Sequence, residues 1–216
     1  SIDLDIGEVV GLLGPNGAGK TTCFYIIAGL IKPDDGKVNI GKINITGFPV
    51  YERARIGLGY LPQEISIFKG MSVEDNLLSI IETKVFDNHK RYQILEDLLV
   101  EFNITKIRSS LGITLSGGER RRVEIARCIA SNPTHILLDE PFSGIDPLAI
   151  QDLKNLIGYL KQRKIGVLIT DHNVKDTLDI VDRAYVLYDG KILLKGNPFE
   201  IKNDQNVKNV YLGKSF

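Results

Sequence analysis

The chain has 216 residues, 43% of them apolar, enough to bury the core of one compact domain with room for an inserted subdomain. Lys plus Arg and Asp plus Glu each number 27, so the formal charge is zero, and nothing in that balance asks for nucleic acid or an acidic membrane surface as the main partner. No apolar run approaches the ~20 residues of a membrane-spanning helix, and the two cysteines, Cys23 and Cys128, form neither a metal spacing nor a disulfide framework. Both read as small buried hydrophobes in a reducing compartment.

The sequence opens at Ser1 without Met, inside an alternation of Ile2, Leu4 and Ile6 with Asp that predicts a half-buried strand over 2–6 and further residues upstream. Val9–Leu13 is continuously apolar and predicts a buried strand running into a glycine loop. Residues 21–30 read as a helix, stopped by Pro33 and Gly36, and 37–40 and 43–45 as a hairpin about Gly41-Lys42. A strand over 56–61 ends at Pro62-Gln63.

From Glu64 to Asn132 the pattern turns helical, as in a subdomain inserted between core strands. Ser72 to Asp75 resembles a capping box for a helix to about Ile81. Tyr92, Leu95, Leu98, Leu99 and Phe102 carry a second helix, and 116–131 a third, closed by Asn132-Pro133. The alternation of strand and helix then resumes: strands at His135–Asp139 and Gly166–Thr170, helices at 148–163 and 174–181, and a hairpin of 184–188 and 191–194 about Asp189-Gly190. Such alternation predicts an α/β fold with a mostly parallel sheet.

Gly14-Pro15-Asn16-Gly17-Ala18-Gly19-Lys20-Thr21-Thr22 lies between a predicted strand and a predicted helix, the context in which this spacing is a P-loop. Its glycines let backbone N–H groups turn inward on phosphates, and the helix N-terminus adds positive potential. Lys20 supplies a point charge to the β/γ oxygens of ATP, Thr21 a hydroxyl for Mg²⁺, and Thr22 a reach to the α-phosphate. The strand Ile136-Leu137-Leu138 delivers Asp139 to the Mg²⁺ shell and Glu140 toward the γ-phosphate, as base or orienter of the attacking water. His172, after the strand that ends at Thr170, sits where such sheets bind ligands and reads as a γ-phosphate contact that helps hold Glu140. His89 and His135 lack that setting. Ser116-Gly117-Gly118, opening a helix with Glu119, makes a second anion site out of exposed N–H groups and a hydroxyl.

The P-loop, Gln63, Leu-Ser-Gly-Gly-Glu at 115–119, Leu-Leu-Asp-Glu-Pro at 137–141 and Asp171-His172, in that order, resemble the ABC-type nucleotide-binding domains over essentially the whole chain. The resemblance implies a P-loop core (1–63 and 133–216) with antiparallel β elements and a helical subdomain (64–132) carrying the signature. It implies a head-to-tail pair of copies, with Ser116, Gly117 and Gly118 of each closing on the γ-phosphate held by the P-loop of the other. It also implies Gln63 as a contact to Mg²⁺ and water, and membrane-embedded subunits docking near Gln63 to Phe68 on the cytoplasmic face of the inner membrane. The family's D-loop falls on Ser143-Gly144-Ile145-Asp146, with Ile145 where leucine is commoner. Its adenine-stacking aromatic would precede Ser1.

Longer strings at 60–68, 115–127, 168–174 and 210–213 are similar to the lipopolysaccharide-export branch of that family, which implies lipopolysaccharide extraction as the task. Branched-chain amino-acid importer ATPases are the nearest alternative. Relatives acting on nucleic acid carry coiled-coil inserts, zinc modules or tandem heads that this sequence lacks, and an ATP-binding regulator without turnover is disfavoured by Glu140 and His172. Arg120, Arg121 and Arg122 fan around one helix and so predict solvated or salt-bridged roles over a binding patch. The apolar run of Ile65, Ile67 and Phe68 fits packing inside the helical insert and a docking groove equally well.

Overall fold

The computed structural model describes residues 1–212. Strand β1 (Val9–Leu13) leads through the glycine loop into α1 (Lys20–Ala28). A two-residue hairpin, β2 (Asn39–Ile40) with β3 (Ile43–Asn44), and helix α2 (Val50–Arg55) precede β4 (Leu58–Leu61). Three helices follow, α3 (Val73–Ile81), α4 (Asn88–Glu101) and α5 (Gly117–Ala130). The alternation then returns with β5 (His135–Asp139), α6 (Pro147–Gln162), β6 (Gly166–Thr170), α7 (Val174–Leu178), β7 (Arg183–Tyr188), β8 (Lys191–Gly196), α8 (Pro198–Asn203) and α9 (Gln205–Val207).

The main sheet runs β4-β5-β6-β1-β7-β8, parallel throughout except that β8 returns antiparallel to β7. Its central strands carry continuous apolar runs, Val9–Leu13 in β1, 136–138 in β5 and 166–169 in β6, because both faces are covered. Leu137, Leu168, Val10 and Leu12 pack on one side with Phe24 and Ala28 of α1, while Ile136, Leu138, Val167, Ile169 and Val9 pack on the other, in one cluster with buried residues of α3 to α6. The β7–β8 hairpin turns on Asp189 (φ 48°) and Gly190 (φ 71°), the left-handed pair that a two-residue turn requires.

Several sequence expectations are corrected. Residues 2–6 form no strand: β1 already pairs with β6 and β7 on its two sides. The leading segment is tied down by side chains instead, with Arg183 donating to the Asp3 carbonyl at 2.8 Å and Tyr185 to the Asp3 carboxylate at 2.6 Å. Helix α7 stops at Leu178 rather than 181. At Ser72 only half of the capping box forms, because Asp75 accepts from the Ser72 hydroxyl (2.6 Å) rather than from its backbone. Helices α2, α8 and α9 went unpredicted. Gly213 of the 210–213 string lies outside the described residues.

Arg53, 2% exposed, fills the space behind α1. Its guanidinium donates to the carbonyls of Ile26 (2.6 Å), Ile27 (2.7 Å), Phe48 (2.8 Å) and Thr46 (3.0 Å), so a cation closes the last turn of the P-loop helix where its dipole is negative. The three consecutive arginines of α5 do fan apart. Arg120 donates to the Leu115 carbonyl (3.0 Å), Arg121 is buried against Glu124 (2.9 Å), and Arg122 meets Asp152 (2.5 Å).

Burial pushes both thiols up, that of Cys128 to about 12 against about 9 for a free thiol. A raised value means less thiolate at any given pH, so native Cys128 is expected to be alkylated by iodoacetamide at pH 8–9 at least ~10-fold more slowly than in urea-unfolded chain. Between pH 9 and 12 the unfolded chain releases a proton that the folded chain keeps, so this group lowers stability as pH rises through that window. Mass spectrometry of quenched time points checks the rates; equal rates would contradict the burial.

Candidate functional site

The sheet register brings the chemistry together. Leu61 pairs with Leu138, Asp139 with Thr170, and Gly11 with Ile169, so the carboxyl ends of β4, β5, β6 and β1 finish on one edge. Gln63, Asp139, Glu140, Asp171, His172 and the glycine loop therefore emerge side by side, where parallel sheets open their ligand crevice.

The loop between β1 and α1 folds as its glycines allow. Gly14 (φ 147°) lies so close to β7 that a Cβ would come within 2.2 Å of the Leu187 carbonyl oxygen. Gly19 (φ 101°) is the N-cap of α1 and offers no side chain, so the first N–H groups of that helix are left open to an anion. Thr21 and Thr22 are exposed on its first turn. The Lys20 ammonium, buried, is held by the carbonyls of Gly14 (2.7 Å) and Pro15 (3.0 Å). Burial lowers its pKa, and among the described residues no carboxylate pairs with it at ion-pair distance, a setting that fits a phosphate.

Asp139 is 6% exposed and its carboxyl is pushed up, first by burial, while the Tyr60 hydroxyl donates to its Oδ2 at 3.3 Å. Among the described residues no group of three or more His, Cys, Asp and Glu forms a metal cage. Asp139 beside Glu140, with the Thr21 hydroxyl available and the buried Asp171 engaged by backbone N–H groups, is a donor set that fits a cation carried in on phosphate oxygens rather than one held by protein alone. Glu140 sits at φ 46°, uncommon for a non-glycine residue, its N–H donating to the Thr170 carbonyl at 2.8 Å. Its Oε1 lies 2.6 Å from His172 Nε2. Asp171 fixes this turn from below, accepting from Phe142 N and Asn173 N at 2.8 Å each.

Ser116 caps α5 and shares a complete capping box with Glu119. Among the described residues no hydrogen bond or ion pair joins residues 115–119 to the glycine loop. Their neighbours are instead the D-loop and α6, with a Cβ on Gly117 falling 3.7 Å from Ile145 and one on Gly118 falling 3.2 Å from Ala149. One chain thus gathers the glycine loop, the carboxylates and His172, and leaves the signature turn of 115–119 apart.

Residues 1–143 match the family model described as ABC transporter. The chain belongs to the ABC transporter family. It is an ATP-hydrolysing, nucleotide-binding subunit of that family. A probable ABC transporter ATP-binding protein of Azorhizobium caulinodans is 54% identical over the whole chain and 77% of its own length. The lipopolysaccharide export system ATP-binding protein LptB of Acidithiobacillus ferridurans is 54% identical over the whole chain and 90% of its own, and that of Escherichia coli K12 49% with the same coverage. Among solved structures, the ADP conformation of MJ1267, an ATP-binding cassette of an ABC transporter, superposes with TM-score 0.85 and 28% identity over 99% of this chain and 91% of that one.

Two contacts of this ABC ATPase escaped the sequence reading. They are the Asp171 clamp on the Phe142 and Asn173 backbone, one bond each, and the Tyr60 hydroxyl on Asp139. The strings at 60–68 and 168–174 contain Tyr60 and Asp171, but not the Asp139 and Phe142 they hold.

Proposed function

We propose that two copies of this chain close head to tail on two ATP molecules and that the stroke drives extraction of lipopolysaccharide from the bacterial inner membrane. The observation that carries the composite site is the separation of the glycine loop from the signature turn: each chain presents one set of carboxylates and one open helix N-terminus, and a signature turn that it does not use itself. The lipopolysaccharide task rests on relatives of that name at 49–54% identity along 90% of their length.

In this reading Lys20 and the open N–H groups of α1 hold the β- and γ-phosphates, and Ser116, Gly117 and Gly118 of the other copy cover the γ-phosphate. Thr21, Asp139 and Gln63 hold Mg²⁺, which when bound neutralises charge that develops on the phosphate oxygens. Glu140 takes or orients the proton of the attacking water, and His172 fixes its carboxylate through the 2.6 Å contact. Tyr60 steadies Asp139. The helical segment 64–132 moves as a unit about Gln63, which is exposed two residues beyond β4.

Ile67 is buried, whereas Ile65 and Phe68 are 42% and 48% exposed, so the apolar run both packs and presents a surface. The Arg127 guanidinium lies 4.5 Å from the Phe68 ring centroid, and Leu111 and Ile113 are exposed on the adjoining segment, where Ile113 N–H donates to the Lys69 carbonyl. That patch is our docking site for the membrane-embedded subunits. Phe68→Asp is expected to keep the ATPase rate of the isolated protein within about twofold while abolishing copurification with membrane subunits, since hot-spot aromatics commonly contribute 2 kcal/mol or more. Retained assembly would move the docking site elsewhere. The task itself is tested by isolating the complex from native membranes and identifying the bound lipid.

A further inference from the structure

The Ser116 end of the signature turn is already occupied. Glu119 Oε2 accepts from the Ser116 backbone N–H at 2.9 Å and from the Ser116 hydroxyl at 2.7 Å, and the Glu119 N–H donates back to that hydroxyl at 3.4 Å. The carboxyl is held below its ordinary range, first by the Ser116 hydroxyl, then by the Ser116 N–H, with Arg122 adding its charge. A carboxylate therefore rests, ionised, on the Ser116 donors, part of the turn that the composite-site reading gives to the γ-phosphate of the other copy.

We propose that Glu119 is an internal anion standing in for that γ-phosphate, so that closure must displace it from Ser116 and bear its charge beside the triphosphate. The inference rests on the composite-site reading above. Its physical basis is simple: one hydroxyl proton serves one acceptor at a time, and two anions on one turn repel more strongly as closure removes water between them. The open chain thereby keeps its α5 N-terminus satisfied, and only a ligand presenting a strongly accepting terminal phosphate releases it.

Glutamine at this position completes a capping box as well as glutamate does, so Glu119→Gln removes the charge and keeps the cap. The experiment uses the full chain carrying Glu140→Gln, to suppress turnover, with and without Glu119→Gln. The dimer dissociation constant is measured by sedimentation at saturating Mg-ATP. We expect Glu119→Gln to tighten the dimer about three- to tenfold, and the gap to shrink as salt is raised and the repulsion is screened. Glu119→Ala, which also loses the Glu119 half of the capping box, is expected to tighten the dimer similarly while lowering the melting temperature. A change under twofold, a weaker dimer, or a gap indifferent to salt would overturn the inference while leaving the composite site standing. Absence of any ATP-driven dimer in the Glu140→Gln background would instead remove the composite-site reading, and this inference with it.

Discussion

Glu140→Gln is expected to bind ATP as tightly as the unmodified chain and to release phosphate at least ~100-fold more slowly, the scale on which a positioned base contributes. The substitution is nearly isosteric. It keeps a polar group within reach of His172 Nε2, 2.6 Å away in the parent, and it keeps the backbone at a φ of 46° that Gln and Glu tolerate alike. What it removes is the ability to take a proton. The glycine loop stays intact, because Lys20 is held by the Gly14 and Pro15 carbonyls and the α1 N-terminus needs no contribution from Glu140. Binding of a fluorescent ATP analogue and single-turnover phosphate release separate the two quantities. A variant that turns over near the parental rate would remove Glu140 from the chemistry and leave His172 pairing with it for structural reasons only.

How much of this was legible beforehand depends on the range of the contacts. Strands β5 and β6 were readable to the residue because continuous apolar runs end abruptly in Asp139-Glu140 and Asp171-His172, and strands buried on both faces have no other pattern to show. Residues 2–6 misled because alternation predicts a strand only where a neighbour has a free edge, and β1 has none. The glycine loop and the carboxylates announced themselves by local spacing. The Asp171 clamp on Phe142 spans 29 residues and the Tyr60 contact with Asp139 spans 79, so no window of sequence contains both partners. Arg53 was hidden in a different way. A cation in a short polar helix reads as solvated until the four carbonyls it gathers are in view.

Mixing two inactive copies is expected to restore activity. Lys20→Met keeps the buried stem and removes the ammonium from the glycine loop, and Ser116→Ala removes one donor from the signature turn, a change worth ~10²-fold when the donor faces developing charge. Ser116 is exposed, so its loss costs about 1 kcal/mol of helix capping, which a melting curve will register without unfolding the chain. In a head-to-tail pair of one copy each, one nucleotide site combines both defects, while the other combines the intact Lys20 of one chain with the intact Ser116 of its partner. Random pairing makes about half of the dimers mixed, so about a quarter of all sites are complete, and the mixture should recover up to about a quarter of the parental rate if each site turns over alone. Either variant by itself has no complete site in any pairing. Recovery therefore reports directly on whether residues of opposite chains meet at one triphosphate. If the mixture dimerises with ATP and yet stays at the rate of its two components, Ser116 does not act across the interface, and each chain hydrolyses ATP with its own residues alone.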